Sequence, residues 1–351
     1  MIGSEGRAGP GLSAVRIVGS KAKPDRRTRE RGFRGGNVPE EIALGRLLAT
    51  AIISRNKVMR ADASWIHGPG RDARSVQLSA ASAVVFGCGS VGSTVATMLL
   101  RAGVGNVIVS DPDGLEWANV SRHELGGAAV GMKKSIELAR RLQRDFPHAS
   151  VTGYDDTVQS AIYGEVAWLS DADIVVSATG SGQADKALNG WHKKCGRRIP
   201  VVYGWTEPYG VAGHAIAIGM SGPCLSSIVS NVGLSTFELT KFDAAAVTEE
   251  PACGMHYAPY GAIELGFVNN LVAELAVDCL LGRVVDSTHR MWAGRQNLLQ
   301  DSGGIWTKEA LQLMSGNPQG GTLLSRDLPA CPCCQKDQTV PQSVKVPGGQ
   351  P

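Results

Sequence analysis

The chain has no long hydrophobic run. No stretch approaches the ~18 uninterrupted apolar residues that a membrane-spanning helix needs, so neither a span nor a membrane partner is expected. No apolar core follows the first charges in the manner of a secretory signal, which reads as a cytoplasmic protein. An excess of one charge sign is missing too. Lys and Arg number 35 against 32 Asp and Glu, a formal net charge of +3. That is too little to argue for nucleic acid as a main partner. Cysteine is too sparse for a disulfide scaffold: eight in 351 residues, read as reduced thiols kept for chemistry or metal. At 43% hydrophobic, the chain can bury a substantial core in one large domain or two small ones.

What is present centres on Ala83-Val84-Val85-Phe86-Gly87-Cys88-Gly89-Ser90-Val91-Gly92-Ser93. An apolar run ends in glycines, and a helical pattern follows through Val95, Leu99 and Leu100. Gly87, Gly89 and Gly92 form G-x-G-x-x-G, with glycines for a tight turn, for close phosphate approach and for close helix packing. The helix start then offers free N–H groups and a positive dipole end to an anion. Asn106 to Ser110 reads as a second strand ending at Asp111, where an acid can hold a ribose hydroxyl. A dinucleotide oxidoreductase fits this far.

The next residues favour a triphosphate. Asp111-Pro112-Asp113 leads to Asn119-Val120-Ser121-Arg122-His123 and then to Gly131-Met132-Lys133-Lys134. Two cations soon after a ribose-type acid exceed what NAD needs. They suit an α-phosphorus that gains negative charge under attack. Surface cations at a solvated helix start are the plain alternative.

Residues 80–200 resemble the E1-like activating enzymes, the ThiF/MoeB group and the ubiquitin-activating enzymes, through GCGSVGS, AGVGNVIVSDPD, NVSRH and VGMKK. The Arg-His pair and the flanks GFRGGNVP and ADASWIHGPGR are most similar to bacterial E1 modules associated with E2-like domains. The resemblance implies adenylation of a ubiquitin-like protein's C-terminal carboxylate by Mg-ATP. Transfer to a cysteine thiol and hand-over to an E2-like partner would follow, in a homodimer. It places ATP on Gly87, Gly89 and Gly92, with Asp111, Asp113, Asn119, Arg122 and Lys134 around it. Lys134 matches the family's G-x-x-K spacing from Gly131 and is favoured over Lys133. One departure stands out. Gly180 and Ser181 occupy the place of the family's Asp-Asn, leaving Asp185 as the candidate for holding Mg²⁺ through water. A helix-start carboxylate favoured by the dipole is the other reading of Asp185.

Strands alternating with helices predict a doubly wound, mostly parallel sheet. The resemblance implies that its ATP-binding half is Rossmann-like and its substrate half antiparallel in type. Strands are expected at 150–154, 173–179, 200–205 and 211–218, and helices at 131–146, 161–169 and 263–281. Residues 1–34 carry nine Lys/Arg against three acids, about +6, and 1–35 reads as a basic flexible arm. Residues 36–75 read as an N-terminal helical segment, with its helix over 38–58. An adenylation domain over 76–334 and a disordered tail over 335–351 complete the layout.

Cys253 is the candidate nucleophile, in a cysteine-bearing segment spanning about 240–262. Pro251 before and Gly254 after it suggest an exposed turn near a helix start, which raises a thiol's thiolate fraction. His256 is near enough in sequence to act as a second activator. Cys331-Pro332-Cys333-Cys334 has knuckle spacing for Zn²⁺. Cys224 resembles the remnant of the family's other cysteine pair, giving Cys224, Cys331 and Cys334, with Cys333 as a crowded fourth. Two alternatives share the fold: a sulfur-carrier adenylyltransferase, and a non-catalytic nucleotide-binding scaffold.

Overall fold

The computed structural model describes residues 2–6, 9–18, 31–34, 37–49, 52–67, 74–230, 233, 235–242, 248–249, 256–257, 261–315, 319–331 and 333–334. The chain divides into two compact units, Met1–Ala61 and Asp62–Pro351. The division falls inside the stretch 36–75 that sequence patterning treats as one segment.

The small unit contains β1 (Ile2–Gly6), β2 (Gly9–Val18), α1 (Glu40–Leu48) and β3 (Ile52–Asn56). All three strands pair antiparallel, Ile2 opposite Ser13 and Ala14 opposite Asn56. Two of these strands, β1 and β2, fall within the stretch 1–35 that composition reads as a flexible arm. Val15, Ile17 and Val18 supply β-branched residues that the surrounding glycines and charges mask in the composition. The helix expected over 38–58 ends at Leu48, and the β-branched Ile52-Ile53 begin a strand instead.

The larger unit is built on eight strands. These are β4 (Ser82–Phe86), β5 (Asn106–Ser110), β6 (Ser150–Tyr154), β7 (Ile174–Ser177), β8 (Val201–Thr206), β9 (Ala212–Ile218), β10 (Thr288–Arg295) and β11 (Gly320–Asp327). Their order across the sheet is β11-β10-β9-β8-β7-β4-β5-β6. The five strands from β6 to β8 run parallel, and β9, β10 and β11 each pair antiparallel with the neighbour before. The structure thus has both halves of the expected sheet, with two outer strands, β10 and β11, that periodicity does not single out.

Helices α2 (Gly92–Ala102), α3 (Lys134–Asp145), α4 (Gly182–Lys194) and α5 (Ala262–Leu280) cover the sheet. Leu99, Leu138, Leu271 and Leu275 pack on one face, and Val158, Leu169 and Leu188 on the other. β4 and β7 are buried along nearly their whole length, as strands covered on both faces must be. The helix expected over 161–169 is two short helices, Val158–Tyr163 and Ala167–Ser170. Glu165, at φ 46°, interrupts them.

From β4 the chain winds outward through β5 and β6, then returns to build β7 and β8 on the other side. That reversal leaves a crevice beyond the carboxyl ends of β4 and β7, where doubly wound sheets bind ligands. Among the described residues, no helix is long and apolar enough to cross a membrane.

Candidate functional site

A cavity of about 500 Å³ lies in that crevice. Its walls include Gly87, Gly89, Asp111, Asp113, Arg122 and Lys134 on one side, and Trp205, Glu207 and Glu238 on the other. Thr179, Gly180 and Asp185 lie on its wall as well.

The glycine loop is shaped by what a side chain would hit. A Cβ on Gly92 would meet the Gly87 carbonyl oxygen at 1.8 Å, so helix α2 can start this close to β4 only with glycine there. Gly87 itself sits at φ +83°, against the Ala178 backbone. Gly89 faces open space, which is where a bulky ligand has room to approach.

Asp111 is buried and braces this loop. One carboxylate oxygen accepts the Cys88 N–H at 2.6 Å and the other the Asp113 N–H at 2.8 Å. Burial raises its carboxyl above the ordinary value, while these two N–H groups and the Lys134 charge pull it back down. Lys134 opens α3 and its Nζ lies 3.4 Å from an Asp113 carboxylate oxygen. Lys133 turns elsewhere, donating to the Pro112 carbonyl at 2.6 Å. Arg122 ends the 3-10 turn Trp117–Arg122, its guanidinium donating to the Ala118 carbonyl at 2.9 Å. Asn119 is not among the lining residues. Its side-chain oxygen caps that same turn, accepting the Glu116 N–H at 3.1 Å.

Asp185 lies in the first turn of α4. Its Oδ1 accepts from the Ser177 hydroxyl at 2.5 Å and the Thr179 hydroxyl at 3.4 Å. Burial pushes its carboxyl up to about 6 against these two hydrogen bonds. Gly180, where the resembling family has an acid, is a cavity-lining residue at φ +65° with open space around it. Asp185 is thus the acid on this stretch of the wall.

The far wall rests on residues that no local motif announces. Glu207, just past β8, is buried. It accepts the Leu239 N–H at 2.5 Å, the Thr240 N–H at 2.7 Å, and the Thr240 hydroxyl. His214 Nε2 lies 2.7 Å from it, and His214 Nδ1 lies 2.9 Å from His289 Nε2. Arg326 Nε donates to His289 Nδ1 at 3.2 Å. Arginine can only donate, so this end sets the direction of the whole chain: each imidazole carries its proton on Nε2 and hands it toward Glu207. Burial, then His214 and Arg326, push His289 down to about 2, which keeps it neutral. Burial alone would raise Glu207; the His214 and Thr240 side chains and the Leu239 N–H outweigh it and hold its carboxyl below the ordinary value. Trp205, on the cavity wall, stacks on His214 with ring centroids 4.8 Å apart.

Cys195, half-buried, caps the end of α4. The other seven cysteines fall into three groups. Cys88 and Cys279 are buried singly, and burial raises both thiols, Cys279 to about 12. Cys253, the expected nucleophile, lies outside the described residues. The short strands Thr248–Glu249 and His256–Tyr257, which pair antiparallel, flank it in sequence. Cys224, Cys331, Cys333 and Cys334 gather with all sulfurs within 4.8 Å of one another. Cys224 lies 3.6 Å from Cys331 and 3.4 Å from Cys333. Burial raises the Cys224 thiol, but hydrogen bonds from Cys333 and Ser226 outweigh it and bring it down to about 6. Four sulfurs on a tetrahedral zinc with ~2.3 Å bonds sit ~3.8 Å apart. Donor type and number fit zinc, and so do most of the separations, while Cys331 and Cys333, 2.9 Å apart, would have to spread to bind it together. Cys333, the crowded fourth position in the sequence, stands in the cluster with the other three.

The model of the ThiF family matches residues 69–320. The sulfur carrier protein ThiS adenylyltransferase of Bacillus subtilis is 33% identical over 44% of this chain and 45% of its own length. The ATP-dependent ubiquitin transferase-like protein Cap2 of Vibrio cholerae is 28% identical over 70% of this chain and 42% of its own. The chain therefore spans under half the length of these curated relatives. In fold it is similar to E. coli MccB, with a TM-score of 0.51 at 17% identity, covering 85% of this chain and 82% of that one. The match over residues 69–320 takes in the glycine loop, both walls of the cavity and most of the eight-stranded sheet, and by it the chain belongs to the ThiF family.

Proposed function

We propose that the chain is an adenylyltransferase acting on the C-terminal carboxylate of a ubiquitin-like protein, working in the cytoplasm as a homodimer. The carrying observation is the wall shared by Gly89, Arg122 and Lys134: open backbone and two cations face one cavity. ATP lies across the glycine loop with its ribose toward Asp111 and Asp113. A carboxylate oxygen of the partner attacks the α-phosphorus. The bond to the bridging oxygen breaks, pyrophosphate leaves, and an acyl-adenylate forms. Arg122 and Lys134 stabilise the negative charge that builds on the α-phosphoryl oxygens, and Asn119 caps the turn that carries Arg122. Mg²⁺, when bound, supplies charge neutralisation on the phosphates, and Asp185 is the residue that would hold it through water. Zn²⁺ on Cys224, Cys331, Cys333 and Cys334 serves as a structural clasp between the loop after β9 and the segment after β11.

The Cys253 thiolate then attacks the acyl carbon, AMP departs, and the resulting thioester passes to an E2-like protein. The likeness to Cap2 supports this second stage. The likeness to the ThiS adenylyltransferase supports a second reading, in which the adenylate goes to a sulfur donor. Pyrophosphate exchange with the cognate partner tests the first stage. Exchange is expected in the wild type and lost by about 10²–10³-fold in Arg122→Ala, the usual cost of one charge-stabilising donor. Absence of exchange would favour a nucleotide-binding scaffold. A reducible partner adduct that persists in Cys253→Ala removes that cysteine from the scheme.

A further inference from the structure

We propose that His123 is a positioning residue that locks the Arg122 turn to the glycine loop in the arrangement a polyphosphate needs. The inference rests on the adenylation reading above.

His123 is not among the residues lining the cavity, so it acts through its neighbours. Its Nε2 lies 2.5 Å from the Cys88 carbonyl oxygen, and its Nδ1 accepts the Leu125 N–H at 2.9 Å. A carbonyl can only accept and an N–H can only donate. The imidazole is therefore neutral with its proton on Nε2. Burial lowers its basicity, the Cys88 bond raises it, and the Lys134 and Arg141 charges lower it further.

Cys88 is consequently gripped from two sides, its N–H by Asp111 at 2.6 Å and its C=O by His123. In a planar trans peptide the C=O and the following N–H point in opposite directions. Fixing the Cys88 carbonyl therefore fixes the aim of the Gly89 N–H, and Gly89 is on the cavity wall. The same imidazole is covalently next to Arg122, whose side chain reaches that wall from the other element. A second tie supports the first: the Glu124 N–H donates to the Ser93 hydroxyl in α2 at 3.4 Å. One ring thus couples an amide donor and a guanidinium across 35 residues of sequence.

The test compares wild type, His123→Ala and His123→Gln as full chains, titrated by calorimetry with ATP and with adenosine, which has no phosphate. A glutamine carboxamide offers one donor and one acceptor, as the neutral imidazole does. His123→Ala is expected to weaken ATP about tenfold, the worth of one to two hydrogen bonds, and to leave adenosine unchanged. His123→Gln is expected to bind ATP within about threefold of wild type. Unchanged ATP affinity in His123→Ala, or equal loss for ATP and adenosine, overturns the proposal. Should that variant not fold, nitrogen-15 NMR of wild-type histidine decides. A proton on Nε2, with a signal moved by ATP and not by adenosine, supports it; a proton on Nδ1 overturns it. Wild type that binds no ATP sinks the adenylation reading as well, whereas ATP binding unaffected by either variant sinks only the role of His123.

Discussion

The two walls of the cavity are built from different materials. On the parallel half the wall is built around backbone, a glycine loop so tight that a Cβ on Gly92 would meet the Gly87 carbonyl; Asp111 and His123 brace that loop, and Arg122 and Lys134 stand beside it. The wall on the antiparallel half is held by side chains. There a run of polar groups, from the half-buried Arg326 to the buried His289, His214 and Glu207, crosses from β11 to the end of β8 and pins the backbone at Leu239 and Thr240. A backbone wall presents amides to whatever anion arrives and is defined by space. A side-chain wall is defined by charge and proton order, and it fails as a unit if one member is lost.

The largest loss is expected at Glu207. Glu207→Gln keeps the shape, removes the charge, and puts an amide donor among the Leu239, Thr240 and His214 donors. Leaving buried groups unpaired in this way costs about 3–5 kcal/mol. Chemical denaturation should show the loss at pH 7. Because the native carboxyl sits below its ordinary value, the contribution is present above the unfolded-state value and disappears as pH falls through the native one. The gap between wild type and variant should therefore close in acid. A gap that does not depend on pH would mean that Glu207 is held by packing alone.

The opposite wall should break through sterics, with no pH dependence. Gly92→Ala puts a methyl carbon 1.8 Å from the Gly87 oxygen, so the backbone must move. About 2–3 kcal/mol of stability should go, as for other overpacked sites. ATP binding, read by calorimetry, should fall further than stability does, because the displaced atoms are the loop itself. Gly89→Ala is the control: nothing lies within 4 Å of its Cβ, so it should fold normally and weaken only the nucleotide.

This difference in material also explains what could be read from the chain beforehand. Gly87, Gly89, Gly92 and Asp111 announce themselves because a backbone turn is written in short spacings. The parallel strands could be placed for the same reason: β4 and β7 are continuous apolar runs. Glu207, His214, His289 and Arg326 lie up to 119 positions apart, and each alone looks like an ordinary strand residue. Only the antiparallel registers of β9, β10 and β11 bring them into line. The two strands at the start of the chain were hidden by composition, since glycine and arginine outvote Val15, Ile17 and Val18 in any average. The cysteine cluster was half visible. The knuckle at 331–334 has a readable spacing, but Cys224 stands 107 residues before Cys331.

The smallest expected effect sits between the walls, at Asp185, and it separates them most finely. Its carboxyl titrates near 6 in the folded protein, above the ordinary 3.8, because burial outweighs the Ser177 and Thr179 hydroxyls. The folded form thus holds the proton more tightly than the unfolded chain does. Without ligand, stability should fall as pH rises from about 4 to about 6 and then level off. The total should be about 1–2 kcal/mol, given that the carboxylate lies on an open cavity wall. Asp185→Asn keeps an oxygen for Ser177 and should flatten that slope in a thermal melt series. Mg-ATP should flatten it as well, by favouring the ionised form. If the slope survives in Asp185→Asn, the titration belongs to another of the acids that line the cavity, such as Asp111 or Asp113.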